Sequence, residues 1–486
     1  MELIKAENLI FSYPLSGENA LDGVNFSVNR GELALIMGRT GSGKSTLLKL
    51  MIKELAPVGE LGGTLEVNFD AAAYVPQNAE NTFVSETVRG ELAFALENKQ
   101  ITQSEISVKI GEISSFFNIT DLLDKKTSEI SGGEKSIVAI AAAMASGADT
   151  LILDEPLAQL DPRAVQQVLS VIRRVNDELG TTVVIASHIS EGIISICDSV
   201  AVLENGKVIA QGSARELAKR EELLPFYPVC TSLFEERPLT VKEARACEKR
   251  FAEKPLESAP ESEAAVKIKN LMFAYKKGER DIIDMLSLTV GTGEIHAVVG
   301  ANGCGKTTLL KLIAGIKKPY SGKVKVSGEC AYIPQNVRYL FTKDTVGEEI
   351  SEESAKAFSL EKYLNRHPYD LSGGEQQLLA LAKVSAQGFD VLLLDEPAKS
   401  LDSFGKALVS EYIRKLKADG KTVIIVSHDL DFAADIADKV SFMSDGRIAL
   451  SDSPRLVFSK LSLYTTQVRR ITAEYLETAV SAEDFV

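Results

Sequence analysis

The 486-residue sequence has no apolar run approaching the roughly 20 residues that cross a bilayer as a helix. Its longest candidate, Ile137 to Ala148, is alanine-rich and stops at Asp149, so the chain is not expected to span a membrane. Cysteine is sparse: Cys197, Cys230, Cys247, Cys304 and Cys330 show no C-x-x-C spacing, which argues against zinc, iron–sulfur and disulfide scaffolds and for mostly inert thiols in a reducing compartment. The opening Met1-Glu2-Leu3-Ile4-Lys5 lacks a basic segment followed by an apolar one, which predicts a cytoplasmic chain. Positive charge is in deficit, 54 Lys and Arg against 68 Asp and Glu. A net charge of −14 disfavours broad attachment to nucleic acid, and none is expected as a partner, although it leaves a local basic patch open.

What is present is ordinary for globular protein, 45% hydrophobic and 25% charged residues, in a length that fits two or three domains. Two glycine-rich loops stand out. Gly38-Arg39-Thr40-Gly41-Ser42-Gly43-Lys44-Ser45 and Gly300-Ala301-Asn302-Gly303-Cys304-Gly305-Lys306-Thr307 both fit G-x-x-x-x-G-K-[ST]. Each follows a strand-like run, Leu33 to Met37 or Ile295 to Val299, and opens a helix-like run at Thr46 or Thr308, residues counted with the phosphate-binding set. Glycines let backbone N–H groups wrap phosphate oxygens at a helix N-terminus. Lys44 and Lys306 then neutralise the outer phosphates, and Ser45 and Thr307 offer Mg²⁺ a hard oxygen ligand. Cys304 lies near a helix N-terminus and Lys306, conditions that lower a thiol pKa, so a reactive thiol is weighed there against an inert small residue.

The two halves repeat in order. Lys44 corresponds to Lys306, Gln77 to Gln335, Ser131 to Ser372 and Glu155 to Glu396, with one segment shorter in the second half. The first copy is placed at residues 1–224 and the second at 266–470. A bridge over 225–265 carries Pro225, Pro228, Pro238, Pro255 and Pro260, and an acidic tail covers 471–486. Strand-like runs such as Thr181 to Ala186 and Thr422 to Val426 alternate with helical ones, predicting α/β domains with parallel sheets flanked by helices. Two apolar strands end in paired carboxylates, Asp154-Glu155 and Asp395-Glu396. Asp154 and Asp395 suit Mg²⁺ held through its water shell, and Glu155 and Glu396 suit orienting or deprotonating an attacking water.

These motifs, together with Ile130-Ser131-Gly132-Gly133-Glu134 and Leu371-Ser372-Gly373-Gly374-Glu375, resemble the ATP-binding cassette (ABC) family over nearly all of both halves. The resemblance implies two P-loop ABC domains, each with a mainly parallel core, an antiparallel β part and a helical subdomain, binding ATP with Mg²⁺. It implies that Gln77 and Gln335 sense the metal and the water, that His188 and His428 contact the γ-phosphate, and that Tyr13 and Tyr275 stack on adenine. It further implies head-to-tail pairing of the halves, so that Lys44, Ser45, Gln77, Asp154, Glu155 and His188 act with Ser372 and Gly374, and Lys306, Thr307, Gln335, Asp395, Glu396 and His428 act with Ser131 and Gly133. Leu160-Asp161 and Leu401-Asp402 match the loop that crosses that interface. Glu134 and Glu375 stand where the family usually has Gln, and Lys399 is atypical.

Within the family, the stretch from Val75-Pro76-Gln77-Asn78 to Leu92-Ala93-Phe94, and Pro228-Val229 followed by Leu239-Thr240-Val241-Lys242-Glu243-Ala244, look like ATPases of energy-coupling factor importers for vitamins and metal ions. That implies a peripheral position on the cytoplasmic face of the membrane, a transmembrane coupling subunit and a substrate-capture membrane protein as partners. A soluble tandem ATPase of ribosomes and the fused ATPase of a sugar importer are the alternatives. The longer interval after the first Gln predicts a larger helical docking surface in the first half, with Phe83, Val84, Leu340 and Phe341 near the two grooves.

Overall fold

The computed structural model describes every residue except 1, 15–16, 98–100, 159, 249–250, 257–261, 277, 279, 400 and 486, so Pro260 of the bridge lies outside the described residues. Two compact units emerge, Met1–Thr240 and Val241–Val486. In the first, the strands are β1 (Glu2–Ser12), β2 (Asn19–Asn29), β3 (Leu33–Gly38), β4 (Glu60–Val67), β5 (Ala72–Val75), β6 (Thr150–Asp154), β7 (Thr182–Ser187), β8 (Ser199–Glu204) and β9 (Lys207–Gly212). Every residue of β3, β6 and β7 is buried. Such continuous apolar runs belong to a parallel sheet covered on both faces, and the six-stranded order is β5-β6-β7-β3-β8-β9 with only β8 and β9 antiparallel. Strands β2, β1 and β4 form a separate antiparallel sheet, in which β1 and β2 bury apolar residues and β4 buries none.

The second unit repeats this plan with β10 (Ala264–Phe273), β11 (Ile283–Gly291), β12 (Ile295–Val299), β13 (Ser321–Val326), β14 (Cys330–Ile333), β15 (Val391–Asp395), β16 (Thr422–Ser427), β17 (Lys439–Ser444) and β18 (Arg447–Asp452). Its large sheet runs β14-β15-β16-β12-β17-β18 and its small one β11-β10-β13. Parallel pairing puts the C-terminal ends of β5, β6, β7 and β3, and of β14, β15, β16 and β12, on one edge of each large sheet. Ligands of open α/β sheets bind at that edge.

The segment between the Gln and the signature serine differs between units as expected from its length. The first unit builds helices Val88–Glu97 and Gln103–Phe116, whereas the second has only Val346–Glu349 and Glu352–Ala357. Of the four apolar groove candidates, Val84 is 67% exposed, Phe83 and Leu340 are half-buried against the cores, and Phe341 is buried.

The bridge divides its allegiance. Leu223, Tyr227 and Leu239 join the first core, Tyr227 Oη donates to Ala214 O at 2.9 Å, and Thr231 Oγ1 donates to Pro238 O at 2.7 Å. Beyond Val241 the chain belongs to the second unit. Glu253 pairs with Arg455 at 2.7 Å and accepts from the backbone N–H groups of Glu477 and Thr478, while Lys254 N donates to Asp484 O at 2.8 Å. The C-terminal residues Leu476, Ala479 and Val480 are buried in the same unit.

Candidate nucleotide site

Each glycine loop sits where a buried strand meets a helix, and its glycines answer specific demands. Gly43 has φ 102° and a Cβ there would lie 2.5 Å from Ala20 O; Gly305 has φ 107° and a Cβ would lie 2.9 Å from Ile282 O. Gly41 and Gly303 share φ 79°, and Gly38 and Gly300 are packed against the backbone of the neighbouring strand. Only glycine meets a left-handed φ and a close backbone together without strain. With the loops shaped this way, Lys44 Nζ donates to Gly38 O at 2.8 Å and Arg39 O at 3.0 Å, and Lys306 Nζ donates to Gly300 O at 2.7 Å and Ala301 O at 3.1 Å. Both ammonium groups are thereby bonded to carbonyls of their own loops.

The acidic pairs lie beside these loops. In the first unit Glu155 is buried with φ 52°, its N–H donating to Ala186 O at 2.8 Å. Its Oε2 lies 2.7 Å from His188 Nδ1 and accepts from His188 N at 3.2 Å, while Oε1 is 3.6 Å from Lys44 Nζ. Burial alone would raise its pKa, but His188 and then Lys44 outweigh it and hold the carboxyl below its ordinary value. In the second unit Glu396 has φ 57° and the same contacts to His428, 2.7 Å to Nδ1 and 3.1 Å from its N–H.

Asp154 and Asp395 are buried, and burial pushes both above their ordinary values against the pull of nearby hydroxyls. Tyr74 Oη donates to Asp154 Oδ2 at 2.8 Å, and Tyr332 Oη donates to Asp395 Oδ2 at 3.2 Å. Thr307 Oγ1 donates to Asp395 Oδ1 at 3.1 Å, whereas Asp154 Oδ1 is buried without a hydrogen bond. A buried, orphaned carboxylate oxygen beside the loop hydroxyl of Ser45 is the donor set of a hard divalent cation, and the oxygen-only sets of both units fit Mg²⁺. Among the described residues no group of three His, Cys, Asp or Glu is placed to hold a metal ion.

Sequence reasoning did not single out Tyr74 and Tyr332. The signal was there, because each stands three residues before its Gln, in Tyr-Val-Pro-Gln and Tyr-Ile-Pro-Gln. Gln77 and Gln335 themselves are exposed just beyond the ends of β5 and β14, next to the acidic strands. Tyr13 and Tyr275 are partly exposed, each hydroxyl bonded to the helix threonine, Thr46 at 3.0 Å and Thr308 at 3.1 Å.

Ser131 and Ser372 cap helices Gly132–Ala145 and Gly373–Ser385, and each forms a capping box with the glutamate three residues on. Glu134 and Glu375, the departures from the usual Gln, accept from the serine N–H at 2.7 and 2.8 Å. Gly133 has no room for a side chain, since a Cβ would lie 2.6 Å from that of Ala164. Among the described residues no hydrogen bond or ion pair joins the Ser131 turn to the Lys44 set, or the Ser372 turn to the Lys306 set, within its own unit.

The remaining departures also have physical content. Lys399 is half-buried close to Asp395 and Glu396, and burial lowers its pKa against their attraction; Ala158 holds its place in the first unit. The reactive-thiol reading of Cys304 is corrected: burial raises its pKa and outweighs the opposing charge of Lys306.

A family model described as "ABC transporter" matches residues 21–158 and 283–399. The chain is 36% identical to a protein of Bacillus thuringiensis subsp. konkukian named "Putative ABC transporter ATP-binding protein", over 98% of this chain and 96% of that one. It is 31% identical to one of the same name from Methanosarcina mazei, over 92% and 94%. Among solved structures, an archaeal ribosome recycling factor crystallised with a ribosomal stalk protein is 25% identical with a TM-score of 0.66, over 93% of this chain and 91% of that one.

Proposed function

Since the chain belongs to the ABC transporter ATPase family, as a tandem of two ABC domains that bind ATP with Mg²⁺ and hydrolyse it, we propose that it powers a membrane importer of the energy-coupling factor type. In that reading a transmembrane coupling subunit receives the motion of the ATPase and a capture protein holds a vitamin, metal ion or similar nutrient. The observation that carries it is 36% identity over 98% of the chain to a relative named for transport, joined to an acid–histidine pair in each unit, with Lys44 close to the acid in the first. Exposed apolar and aromatic residues in the segments between each Gln and its signature serine support docking: Val84, Phe94 and Val108 in the first unit, Tyr339 and Tyr369 in the second.

At each site the glycine-loop N–H groups and the lysine would take the phosphates, with the lysine exchanging loop carbonyls for phosphate oxygens. Ser45 with Asp154, and Thr307 with Asp395, would hold Mg²⁺, whose charge offsets that of the β and γ phosphates. Glu155 and Glu396 would accept the proton of a water as its oxygen bonds to the γ-phosphorus and the bond to the departing ADP breaks. His188 and His428 fix those carboxylates through Nδ1 and the backbone N–H, leaving Nε2 for a phosphate oxygen. Ser131 and Ser372, at capped helix ends with bare glycines, would complete the site of the opposite domain in a head-to-tail pair.

The second reading, action on ribosomes, is favoured by the likeness to the recycling factor. Affinity purification of the tagged chain from detergent-solubilised cells separates the two. Polytopic membrane proteins travelling with it are the expected result; ribosomal proteins in their place would overturn the importer reading.

A further inference from the structure

The small antiparallel sheet of the second unit carries an unexplained concentration of charge. On β10 the exposed Lys267 and Lys269 face Lys325 and Lys323 of β13 as direct cross-strand partners. Like charges placed opposite one another destabilise a sheet. Among the described residues none of the four has a carboxylate within ion-pair reach. Across β10 the same face continues through Thr289, Ser287 and the half-exposed Met285 of β11, with no acidic residue.

The first unit shows that the fold does not require this. The equivalent positions by strand register are Lys5, Glu7, Glu66 and Thr64, a net charge of −1 against +4, and Lys5 is 2.7 Å from Glu7. Lysine on an edge strand discourages unwanted strand pairing, which accounts for Lys323 and Lys325. It does not account for Lys267 and Lys269 on the central strand. The whole chain carries −14, so everything outside these four residues carries −18.

We infer that the outer face of β10, β11 and β13 docks on an anionic lipid surface. A sheet face presents four ammonium groups in one plane, complementary to a plane of head-group phosphates. A depression of about 410 Å³ between β10 and β11, bordered by Lys267, Lys269, Ser287 and Thr289, offers the Thr289 hydroxyl as a donor for one such group, while Ser287 Oγ donates to Asn270 Oδ1 at 3.3 Å. The acidic remainder of the chain is repelled by the same surface, so the contact also orients the molecule. A single-stranded nucleic acid is the less suitable polyanion, because the face carries no aromatic residue for bases to stack on. The inference deepens the importer reading and rests on it for its membrane setting.

Flotation of the full chain with vesicles tests it, with ADP saturating so that the phosphate loops are filled. Binding is expected on phosphatidylglycerol–phosphatidylcholine vesicles, should weaken with salt, and should be absent on phosphatidylcholine alone. Giving the second unit the residues of the first, Lys269→Glu, Lys323→Thr and Lys325→Glu together, should lower partition by roughly 100-fold or more, each lysine near a membrane contributing about 1 kcal/mol. Basal ATPase activity should be unchanged. The reciprocal set, Glu7→Lys, Thr64→Lys and Glu66→Lys, should raise partition. Equal binding to both vesicle types, no effect of the triple change, or binding of poly(U) RNA without vesicle binding would each overturn the inference. Because no membrane protein is present, failure here leaves the co-purification result intact, and the reverse also holds.

Discussion

Replacing Tyr74 by Phe removes a single hydroxyl from the surroundings of Asp154. That carboxylate has one oxygen without a hydrogen bond and the other held by Tyr74 at 2.8 Å, in a nearly solvent-free position. A hydrogen bond to a charged acceptor is worth about 1.5–3 kcal/mol, so the first unit should lose that much stability in nucleotide-free protein above the pKa of Asp154. The sign with pH follows from the raised pKa. Burial makes the native state keep the proton longer than the unfolded chain, so stability declines as pH rises from the unfolded to the folded value. Tyr74 limits that decline; its loss extends it upward, and the two proteins should converge at low pH. Partners that orient a metal ligand typically affect metal affinity or activity about 10-fold or more. The Mg²⁺ concentration for half-maximal ATPase activity should therefore rise by about 10-fold in Tyr74→Phe, measured with Glu396→Gln present to silence the second site. Tyr332→Phe, measured beside Glu155→Gln, should do less, because Thr307 still bonds Asp395. Equal shifts at the two tyrosines, or no shift at Tyr74, would refute the reasoning.

Glu155→Gln and Glu396→Gln together should retain ATP binding, followed by filter or fluorescence assay, and slow turnover by ~10²-fold or more; an unaffected Glu396→Gln single variant would mean that the second site does not turn over. Cys304 should react sluggishly with maleimide at neutral pH, and wild type and Cys304→Ser should inactivate at the same rate, because burial keeps the thiol protonated. Glu253 is drawn down to about 2, since Thr478, Arg455 and two backbone N–H groups outweigh the effect of its burial. Its support for the C-terminal segment should be complete above about pH 4.5 and fade as pH falls toward 2, seen as faster amide exchange across residues 476–485, with Arg455→Ala showing that exchange already at neutral pH.

The motifs that announced the two sites were legible because their chemistry is local. A glycine loop, a strand ending in two carboxylates and a Ser-His step each place their groups within a few residues of chain. Where long-range contacts decide, the sequence was silent or misleading. Tyr74 reaches Asp154 only because β5 and β6 pair in parallel with Tyr74 opposite Ile152, two strands separated by some 80 positions of chain. The division of the bridge at residues 240 and 241, and the burial of Leu476 and Val480, depend on packing that no local pattern encodes. At Cys304 the neighbouring lysine was visible in the sequence, while the desolvation that outweighs it was not. The lysine face became apparent only once β10 and β13 were in register, since each strand alone reads as an ordinary alternation of apolar and charged residues.

The left-handed backbone of Glu155 and Glu396 reaches beyond the individual molecule. A side-chain-bearing residue in that conformation gives up about 1–2 kcal/mol that glycine or asparagine would largely recover. For folding alone, mutational drift therefore has a downhill direction at both positions, and it leads away from glutamate. In a lineage where one of the two halves escapes selection for turnover, that half should shed its strained acid early and become a sturdier domain that still holds nucleotide. Glutamate at both positions is what selection for turnover in both halves would leave.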